Sequence, residues 1–294
     1  MALETLRTGG KRALARTLSR LDRADLSPED AALLDEAFAD PLGIVIGLTG
    51  PPGVGKSTLT QALIEQGRAV GKTVAVIAVD PSSPRTGGAL LGDRTRLSLD
   101  PEDDGLFVRS LAARNRLGGL SDHAIASTVL LRALFDWVIV ETVGIGQSDD
   151  DITLVADQSV LCVQPGSGDA LQFMKAGIME WPDIICVTKS DTGAMARRAK
   201  ADVEGALGLA VPSGDNPAVL LVSGRTGEGL EALMQELLAR TAPQRERQAA
   251  RLLRDAVQHR FGVHGLAKTD IEGVLSSAAG PFSAFRDATE RLAV

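Results

Sequence analysis

The chain of 294 residues is poor in aromatic side chains and has no tyrosine. Phe, Trp and Tyr together make up 3% of the residues, and the net charge is −7. Surfaces that bind single-stranded nucleic acid need aromatic rings, and phosphate backbones and anionic membranes attract positive charge. The composition therefore argues against these ligands, and we expect neither a nucleic-acid nor a membrane partner.

Cysteine is also scarce, and long apolar runs are missing. Cys162 and Cys186 each lie in a short apolar run with no metal-binding or disulfide spacing, so they are interpreted as small buried strand residues. No segment approaches the roughly 18 apolar residues that a membrane span requires. No apolar segment follows the N-terminal charges, as one would in a secretory signal. These absences predict a cytoplasmic protein.

What the sequence does contain is an alternation of apolar strands and helices. Continuous Val- and Ile-rich strands separated by helices predict a mostly parallel sheet covered on both faces, which is an α/β fold. We place this domain at residues 43–241. The flanking segments 1–42 and 242–294 show helical spacing without strand signals, with two short helices predicted in the first and two or three in the second. The predicted strands are Ile44–Thr49, Thr73–Val79, Leu106–Arg109, Trp137–Glu141, Ser159–Gln164, Ile184–Thr188 and Ala218–Val222.

A complete P-loop pattern, GxxxxGK[ST], follows the first strand and opens a helix. Its glycines let backbone N–H groups converge on phosphate, and the helix N-terminus adds its positive dipole end. Lys56 should reach the β- and γ-phosphates, and the Ser57 hydroxyl should bind Mg²⁺. The sequence therefore predicts a nucleoside triphosphate site. Its residues are Gly50, Pro51, Pro52, Gly53, Val54, Gly55, Lys56, Ser57 and Thr58.

The fourth strand ends in an acidic residue, where GTPases carry an acid, two spacers and a glycine. Here the segment is Glu141-Thr142-Val143-Gly144. The Glu141 carboxylate would hold Mg²⁺ through water, and the Gly144 N–H would contact the γ-phosphate. Many nucleotide hydrolases place a water-orienting glutamine directly after this glycine, but this chain has Ile145 there. We therefore expect slow intrinsic hydrolysis.

Two aspartates are further candidates for the metal or its waters. Asp80 closes the second strand, and ligands of open α/β sheets gather at the carboxyl ends of strands. Asp93 follows a glycine-containing loop, residues 85–88, that could fold over the phosphates. A plain loop or helix-capping acid is the alternative interpretation of Asp93. The catalytic candidates are thus Lys56, Asp93, Glu141 and Gly144, and the metal candidates are Ser57, Asp80, Asp93 and Glu141.

The choice of base is predicted by a TKSD segment directly after the sixth strand. GTPases use [NT]KxD at this place, where the carboxylate accepts hydrogen bonds from the ring N–H and amino group of guanine. Thr188 stands where Asn is usual, which removes one side-chain hydrogen bond but keeps the Asp. A backbone N–H after the seventh strand usually contacts the guanine carbonyl oxygen. The base-binding candidates are Thr188, Lys189, Asp191, Ser223, Gly224 and Arg225.

With these motifs the chain resembles the MeaB / methylmalonic aciduria type A family. The segments that carry the resemblance are GLTGPPGVGKSTL, VDPSSPRTGGALLGDRTR, ETVGIGQSD, GSGDALQFMKAGIME and TKSD. Members of that family are GTPases that act as metallochaperones for cobalamin-dependent acyl-CoA mutases. The resemblance implies a fold related to nickel-insertion and signal-recognition GTPases. It also implies Mg²⁺ with GTP as substrate and GDP as product.

The same resemblance implies partners. It suggests a homodimer formed through the C-terminal helices, with the mutase and its adenosyltransferase as further partners, and hydrolysis that the mutase accelerates. The family's switch regions correspond to residues 81–96, 142–150 and about 165–175. Within the last, a solvated helix face is the alternative to partner sensing. The residues interpreted as partner-sensing are Asp169, Gln172 and Lys175.

Two other functions compete with a chaperone GTPase. A P-loop kinase of a small molecule would need an acceptor pocket and a lid with several arginines, and Arg109, Arg114 and Arg116 could supply one. The TKSD and ETVG segments do not fit that interpretation. A protein-targeting GTPase also uses TKxD, but it would carry a signal-peptide- or receptor-binding domain for which the chain has no room.

Overall fold

The protein is described by a computed structural model that covers residues 2–22, 26–80, 100, 102–112, 120–142, 149–166, 182–210, 216–239 and 245–292. Within these ranges seven strands form one sheet in the order β3-β2-β4-β1-β5-β6-β7, and all neighbouring pairs are parallel. The predicted parallel α/β sheet is therefore confirmed. The strands are β1 Ile44–Thr49, β2 Val74–Asp80, β3 Leu106–Ala112, β4 Trp137–Glu141, β5 Gln158–Val163, β6 Ile184–Val187 and β7 Ala218–Leu221.

Helices account for most of the remaining described residues. No described helix is long and apolar enough to cross a membrane. The helices are α1 Leu3–Thr8, α2 Gly10–Leu21, α3 Pro28–Ala39, α4 Lys56–Ala69, α5 Asp122–Arg132, α6 Ala194–Ala210, α7 Leu230–Ala239, α8 Arg245–Ala267, α9 Ile271–Ser277 and α10 Pro281–Leu292, with short 3₁₀ turns at Asp149–Leu154 and Ser190–Thr192.

The sheet belongs to a nucleotide unit made of residues 44–121 and 137–242. Its strand side chains alternate between two cores. Leu48, Cys162 and Cys186 pack with α4 and α7 in one core, whereas Val163 and Val187 pack with α6 in the other. Both faces of the sheet are therefore covered, and the two cysteines are buried, as predicted.

The third strand is longer than predicted. It continues past Arg109 to Ala112, because Arg109 and Ser110 stay in register with Ile77 and Ala78 of β2. In the sequence the apolar run stops at the polar residues Arg109 and Ser110, so the predicted strand ended there. Backbone ladder hydrogen bonds hold them in place, and side-chain propensity does not report those bonds.

The helical unit comprises residues 1–43, 122–136 and 243–294. Helix α5, which lies between β3 and β4 in the chain, is therefore part of it. The buried side chain of Arg132 joins the three segments, since it donates to the Gly43 carbonyl at 3.2 Å and to Gln248 Oε1 at 3.3 Å. The N-terminal segment has three helices rather than the two predicted, because Gly9 and Gly10 separate α1 from α2.

A buried carboxylate ties the N-terminal helices to the C-terminal ones. Asp35 on α3 accepts hydrogen bonds from the backbone N–H groups of Phe282 at 2.9 Å and Ser283 at 3.0 Å. It thus caps the N-terminus of α10 from another helix. Burial raises the pKa of this carboxyl, and hydrogen bonds from the Ser283 side chain and from the two amides partly oppose that shift.

Candidate functional site

The P-loop follows β1, the central strand of the sheet, and leads into α4. Gly50, Gly53 and Gly55 have φ values of 134°, 76° and 108°, in the region that favours glycine. A Cβ on Gly50 would lie 2.2 Å from the Cys162 carbonyl oxygen. The loop therefore packs so closely on β5 that only glycine fits at this position.

Lys56 is the first residue of α4 and is 7% exposed. Its ammonium group donates to the carbonyl oxygens of Gly50 at 2.6 Å and Pro51 at 3.1 Å. A buried cation needs such partners, because burial without them would cost several kcal/mol. The loop thus holds the predicted phosphate-binding cation against its own backbone.

The structure brings together Ser57 and Glu141, two of the residues that the motifs name as Mg²⁺ candidates. Ser57 Oγ donates to Glu141 Oε1 at 2.8 Å, and Glu141 is 6% exposed. A hydroxyl and a carboxylate are hard oxygen donors of the kind that Mg²⁺ prefers. The donor set at this point of the nucleotide unit therefore fits a magnesium ion.

A third residue, which the sequence analysis missed, completes this cluster. Thr60 Oγ1 donates to Glu141 Oε2 at 2.9 Å, and Thr60 is fully buried. Its signal in the sequence is spacing: it lies three residues after Ser57 on α4, so the two hydroxyls share a helix face.

For the other predicted metal, catalytic and partner-sensing residues, the structure describes the backbone alone or does not describe the residue. Asp80 is the last residue of β2 and pairs with Ala112, which places it at the carboxyl edge of the sheet. Its side chain is outside the described part of the chain. Also outside it are Asp93, Gly144, Asp169, Gln172 and Lys175.

At the base end, the hydroxyl of Thr188 contacts two backbone carbonyl groups of other segments. Its hydroxyl lies 2.6 Å from the Val54 carbonyl oxygen and 2.9 Å from that of Val163. Thr188 thereby connects the end of β5 and the P-loop to the TKSD segment. This link was not visible in the sequence, since it joins residues 134 positions apart.

Lys189 has a left-handed backbone conformation, with φ of 54°. Its ammonium group donates to the Gly53 carbonyl at 2.9 Å and to Gln164 Oε1 at 2.5 Å. The Lys189 side chain therefore lies across the P-loop. Gln164, which the sequence analysis did not single out, is its second partner.

Asp191 is held through both carboxylate oxygens. Ser223 Oγ donates to Oδ1 at 2.8 Å, and the Arg225 guanidinium pairs with Oδ2. The hydrogen bond from Ser223, followed by the contact with Arg225, lowers the pKa of Asp191 below its ordinary value. The carboxylate is thus ionised and oriented, as an acceptor for guanine must be.

Gly224 allows the segment of residues 223–225 to lie close to the P-loop helix α4. A Cβ on this residue would lie 2.7 Å from the Thr58 carbonyl oxygen and 3.0 Å from the Leu59 nitrogen. The backbone of residues 223–225 therefore packs directly on the first turn of α4. The P-loop, the TKSD segment and residues 223–225 therefore lie together.

The buried cysteines take no part in this chemistry. Burial raises the pKa of Cys162 to about 12, so its thiol is neutral. Among the described residues no group of three or more His, Cys, Asp or Glu side chains is placed to hold a metal. A metal at the Ser57–Glu141 pair would thus take further oxygen ligands from phosphate or water.

A P-loop at the central strand of a parallel sheet, next to an anchored TKxD aspartate, defines a P-loop GTPase. More narrowly, the chain belongs to the family of the methylmalonyl Co-A mutase-associated GTPase MeaB, whose profile matches residues 13–272. The resemblance seen in the motifs is therefore confirmed.

Individual relatives agree with this membership. A Pyrococcus horikoshii protein named as a GTPase is 40% identical over 248 residues, which is 80% of this chain and 75% of the relative. The mouse methylmalonic aciduria type A homolog, mitochondrial, is 34% identical over 263 residues, or 82% of this chain and 63% of the relative. The Escherichia coli GTPase ArgK is 38% identical over 200 residues, or 65% of this chain and 59% of the relative.

Solved structures support the fold. The crystal structure of a LAO/AO transport system kinase matches with a TM-score of 0.68 and 26% identity, over 99% of this chain and 96% of that one. The hydrogenase maturation factor HypB of Archaeoglobus fulgidus matches with a TM-score of 0.54 and 17% identity, over 72% of this chain and 96% of that one. The second likeness is one of fold alone.

Proposed function

We propose that this GTPase binds GTP with Mg²⁺, hydrolyses it slowly to GDP, and uses the cycle to gate cobalamin loading and protection of an acyl-CoA mutase. The observation that carries the nucleotide part is the hydrogen bond from Ser57 to the buried Glu141, with the buried Lys56 next to Ser57 in the P-loop. The family description, which names a mutase-associated GTPase, supports the partner part.

At the phosphate end, different residues bind the phosphate oxygens and the metal ion. Lys56 binds the β- and γ-phosphate oxygens, and Ser57 and Glu141 hold Mg²⁺, Glu141 through water. Bound Mg²⁺ would neutralise charge that develops on the phosphate oxygens. Asp80 and Asp93 add acidic groups for the metal or its waters, and the Gly144 N–H contacts the γ-phosphate.

The residues at the base end select guanine. Asp191 accepts from the guanine ring N–H and amino group, and the Lys189 stem packs on the base plane. The backbone of Ser223, Gly224 and Arg225 offers an N–H to the guanine carbonyl. Adenine lacks the two donors that Asp191 needs, so GTP is preferred over ATP.

The partners are a cobalamin-dependent mutase, its adenosyltransferase and a second copy of this chain. Asp169, Gln172 and Lys175 sense the mutase, and the C-terminal helices of residues 242–294 form the dimerisation arm. The methylmalonyl-, ethylmalonyl-, isobutyryl- and hydroxyisobutyryl-CoA mutases are the clients to test.

The test is a steady-state GTPase assay with and without each of these mutases. The protein alone should turn over well below about 1 s⁻¹, because Ile145 stands where a water-orienting glutamine would be. The cognate mutase should raise the rate, and the same mutase after heat denaturation should not. Fast hydrolysis by the isolated protein, or indifference to every mutase, contradicts the chaperone role and leaves the GTPase activity standing.

A kinase remains the second candidate, since the structure with a TM-score of 0.68 carries that name. Against it, Arg109, one of the three candidate lid arginines, lies in strand β3. The other two, Arg114 and Arg116, lie outside the described residues. Product analysis with γ-labelled GTP decides between the two. Release of all label as inorganic phosphate excludes a kinase, whereas label on a small acceptor would replace the chaperone proposal.

A further inference from the structure

Two buried threonines in the middle of helices use their hydroxyls differently. Thr128 on α5 is 1% exposed and donates to the carbonyl of Ala124, four residues earlier, at 2.7 Å. This is the usual bond for a threonine inside a helix. Thr60 on α4 is fully buried, yet it donates to Glu141, 81 residues away, at 2.9 Å.

The partner of Thr60 is a buried charge. Glu141 is 6% exposed, and a buried carboxylate oxygen that lacks a hydrogen-bond donor is strongly destabilising. Ser57 serves one oxygen and Thr60 the other. Each hydroxyl has a single proton, so neither can replace the other.

The two donors are not equivalent. Ser57 is the P-loop residue whose hydroxyl oxygen is also the protein ligand for Mg²⁺, so it has two tasks. Thr60 lies one turn further along α4, with its only proton committed to Glu141 Oε2. Thr60 therefore fixes the carboxylate independently of the metal and leaves Oε1 directed at Ser57.

We propose that Thr60 is a positioning residue for the metal site: it orients Glu141 so that one carboxylate oxygen stays beside Ser57 for Mg²⁺. A glutamate has one more rotatable bond than the aspartate that GTPases commonly carry at this place. Its carboxylate therefore has more conformational freedom, which a second hydrogen bond restricts. This inference rests on the proposed Mg²⁺ binding and gives it a residue that the motif does not contain.

The experiment is a Mg²⁺ titration of the full chain with a fluorescent N-methylanthraniloyl GDP bound, which reports metal affinity without hydrolysis. Thr60→Val keeps the shape and removes the donor, and Thr60→Ser restores the donor. Thr128→Val is the matched control, since it removes a buried hydroxyl that bonds its own helix. Nucleotide affinity in excess chelator is measured for every variant.

Thr60→Val should raise the Mg²⁺ dissociation constant about tenfold, as expected for loss of a hydrogen bond to a charged group. Thr60→Ser should stay within about twofold of the wild type by the same reasoning. Thr128→Val should not change it, and affinity in chelator should be equal for all variants. If Thr60→Val does not yield folded protein, Thr60→Ala, which favours the helix, is measured in its place.

Unchanged Mg²⁺ affinity in the Thr60→Val protein overturns the inference. So does equal loss in the Ser and Val variants, which would indicate packing rather than the hydroxyl, or an equal loss of nucleotide affinity in chelator. If the wild-type complex itself shows no response to Mg²⁺, the proposed metal site fails and takes this inference with it. A normal wild-type response with an unaffected Thr60→Val variant overturns the role of Thr60 alone.

Discussion

The two ends of the nucleotide site are built by opposite means. At the phosphate end, Lys56 and Glu141 are 7% and 6% exposed, and their partners are backbone carbonyls and the hydroxyls of Ser57 and Thr60. At the base end, the Arg225 side chain that pairs with Asp191 is 75% exposed. Burial strengthens an electrostatic interaction and exposure weakens it. The charges of Lys56 and Glu141 therefore lie where water is scarce, whereas the Arg225–Asp191 pair is in contact with solvent.

The largest effect should come from removing the buried cation. Lys56→Ala should reduce GTP hydrolysis about 10²–10³-fold, as when one group that stabilises transition-state charge is lost. Lys200→Ala is the control, because that lysine lies on α6 in an ion pair with Glu204. Single-turnover hydrolysis of labelled GTP measures both. A Lys56→Ala protein that retains a tenth or more of the rate would place the catalytic charge elsewhere.

An intermediate effect should come from changing the base-reading carboxylate. Asp191→Asn should weaken GDP affinity about 10–100-fold and strengthen xanthosine diphosphate binding, since an amide donates where the carboxylate accepted. Asp202→Asn, on the exposed side of α6, is the control. Competition titrations with the two nucleotides give the ratio. Retention of the wild-type preference for guanine would show that the base is read by another group.

The smallest effect should come from the exposed arginine. Arg225→Ala should weaken GDP affinity less than about fivefold, because exposed ion pairs contribute little, and the difference should shrink in high salt. Arg198→Ala on α6 is the control. A large loss that is independent of salt would mean that the guanidinium contacts the nucleotide itself.

Arg225→Ala should also change the pH dependence of GDP affinity, in a direction that follows from the pKa shift of Asp191. Contacts with Ser223 first, and then with Arg225, lower the pKa of Asp191. Guanine binding needs the ionised carboxylate, so it is lost as the pH falls through that lowered pKa. In Arg225→Ala the pKa of Asp191 rises toward its ordinary value, so GDP affinity is lost at a higher pH than in the wild type, as a pH series of GDP titrations measures. The shift should be partial, because the Ser223 bond remains.

Much of this architecture was predictable from local pattern. Apolar runs placed the strands, and a complete P-loop placed α4. Ser57 and Glu141 could be named as candidates for one metal site, because the carboxyl ends of parallel strands meet at one edge. What the sequence could not provide were contacts between distant residues. Thr60 on Glu141, Thr188 on Val54 and Asp35 on α10 all depend on packing that no local rule describes. The long third strand was missed for the same reason.

The segmental make-up of the helical unit has a consequence for synthesis of the chain. The nucleotide unit ends at residue 242, whereas the helical unit draws its parts from residues 1–43, 122–136 and 243–294. Chains leave the ribosome from the N-terminus at ~5–20 residues per second. Every residue of the nucleotide unit is thus available before residues 243–294 of the helical unit exist. Helix α3 is made long before α10, which supplies the amide groups that Asp35 holds, so Asp35 gains these partners only when nearly all of residues 1–294 have been made.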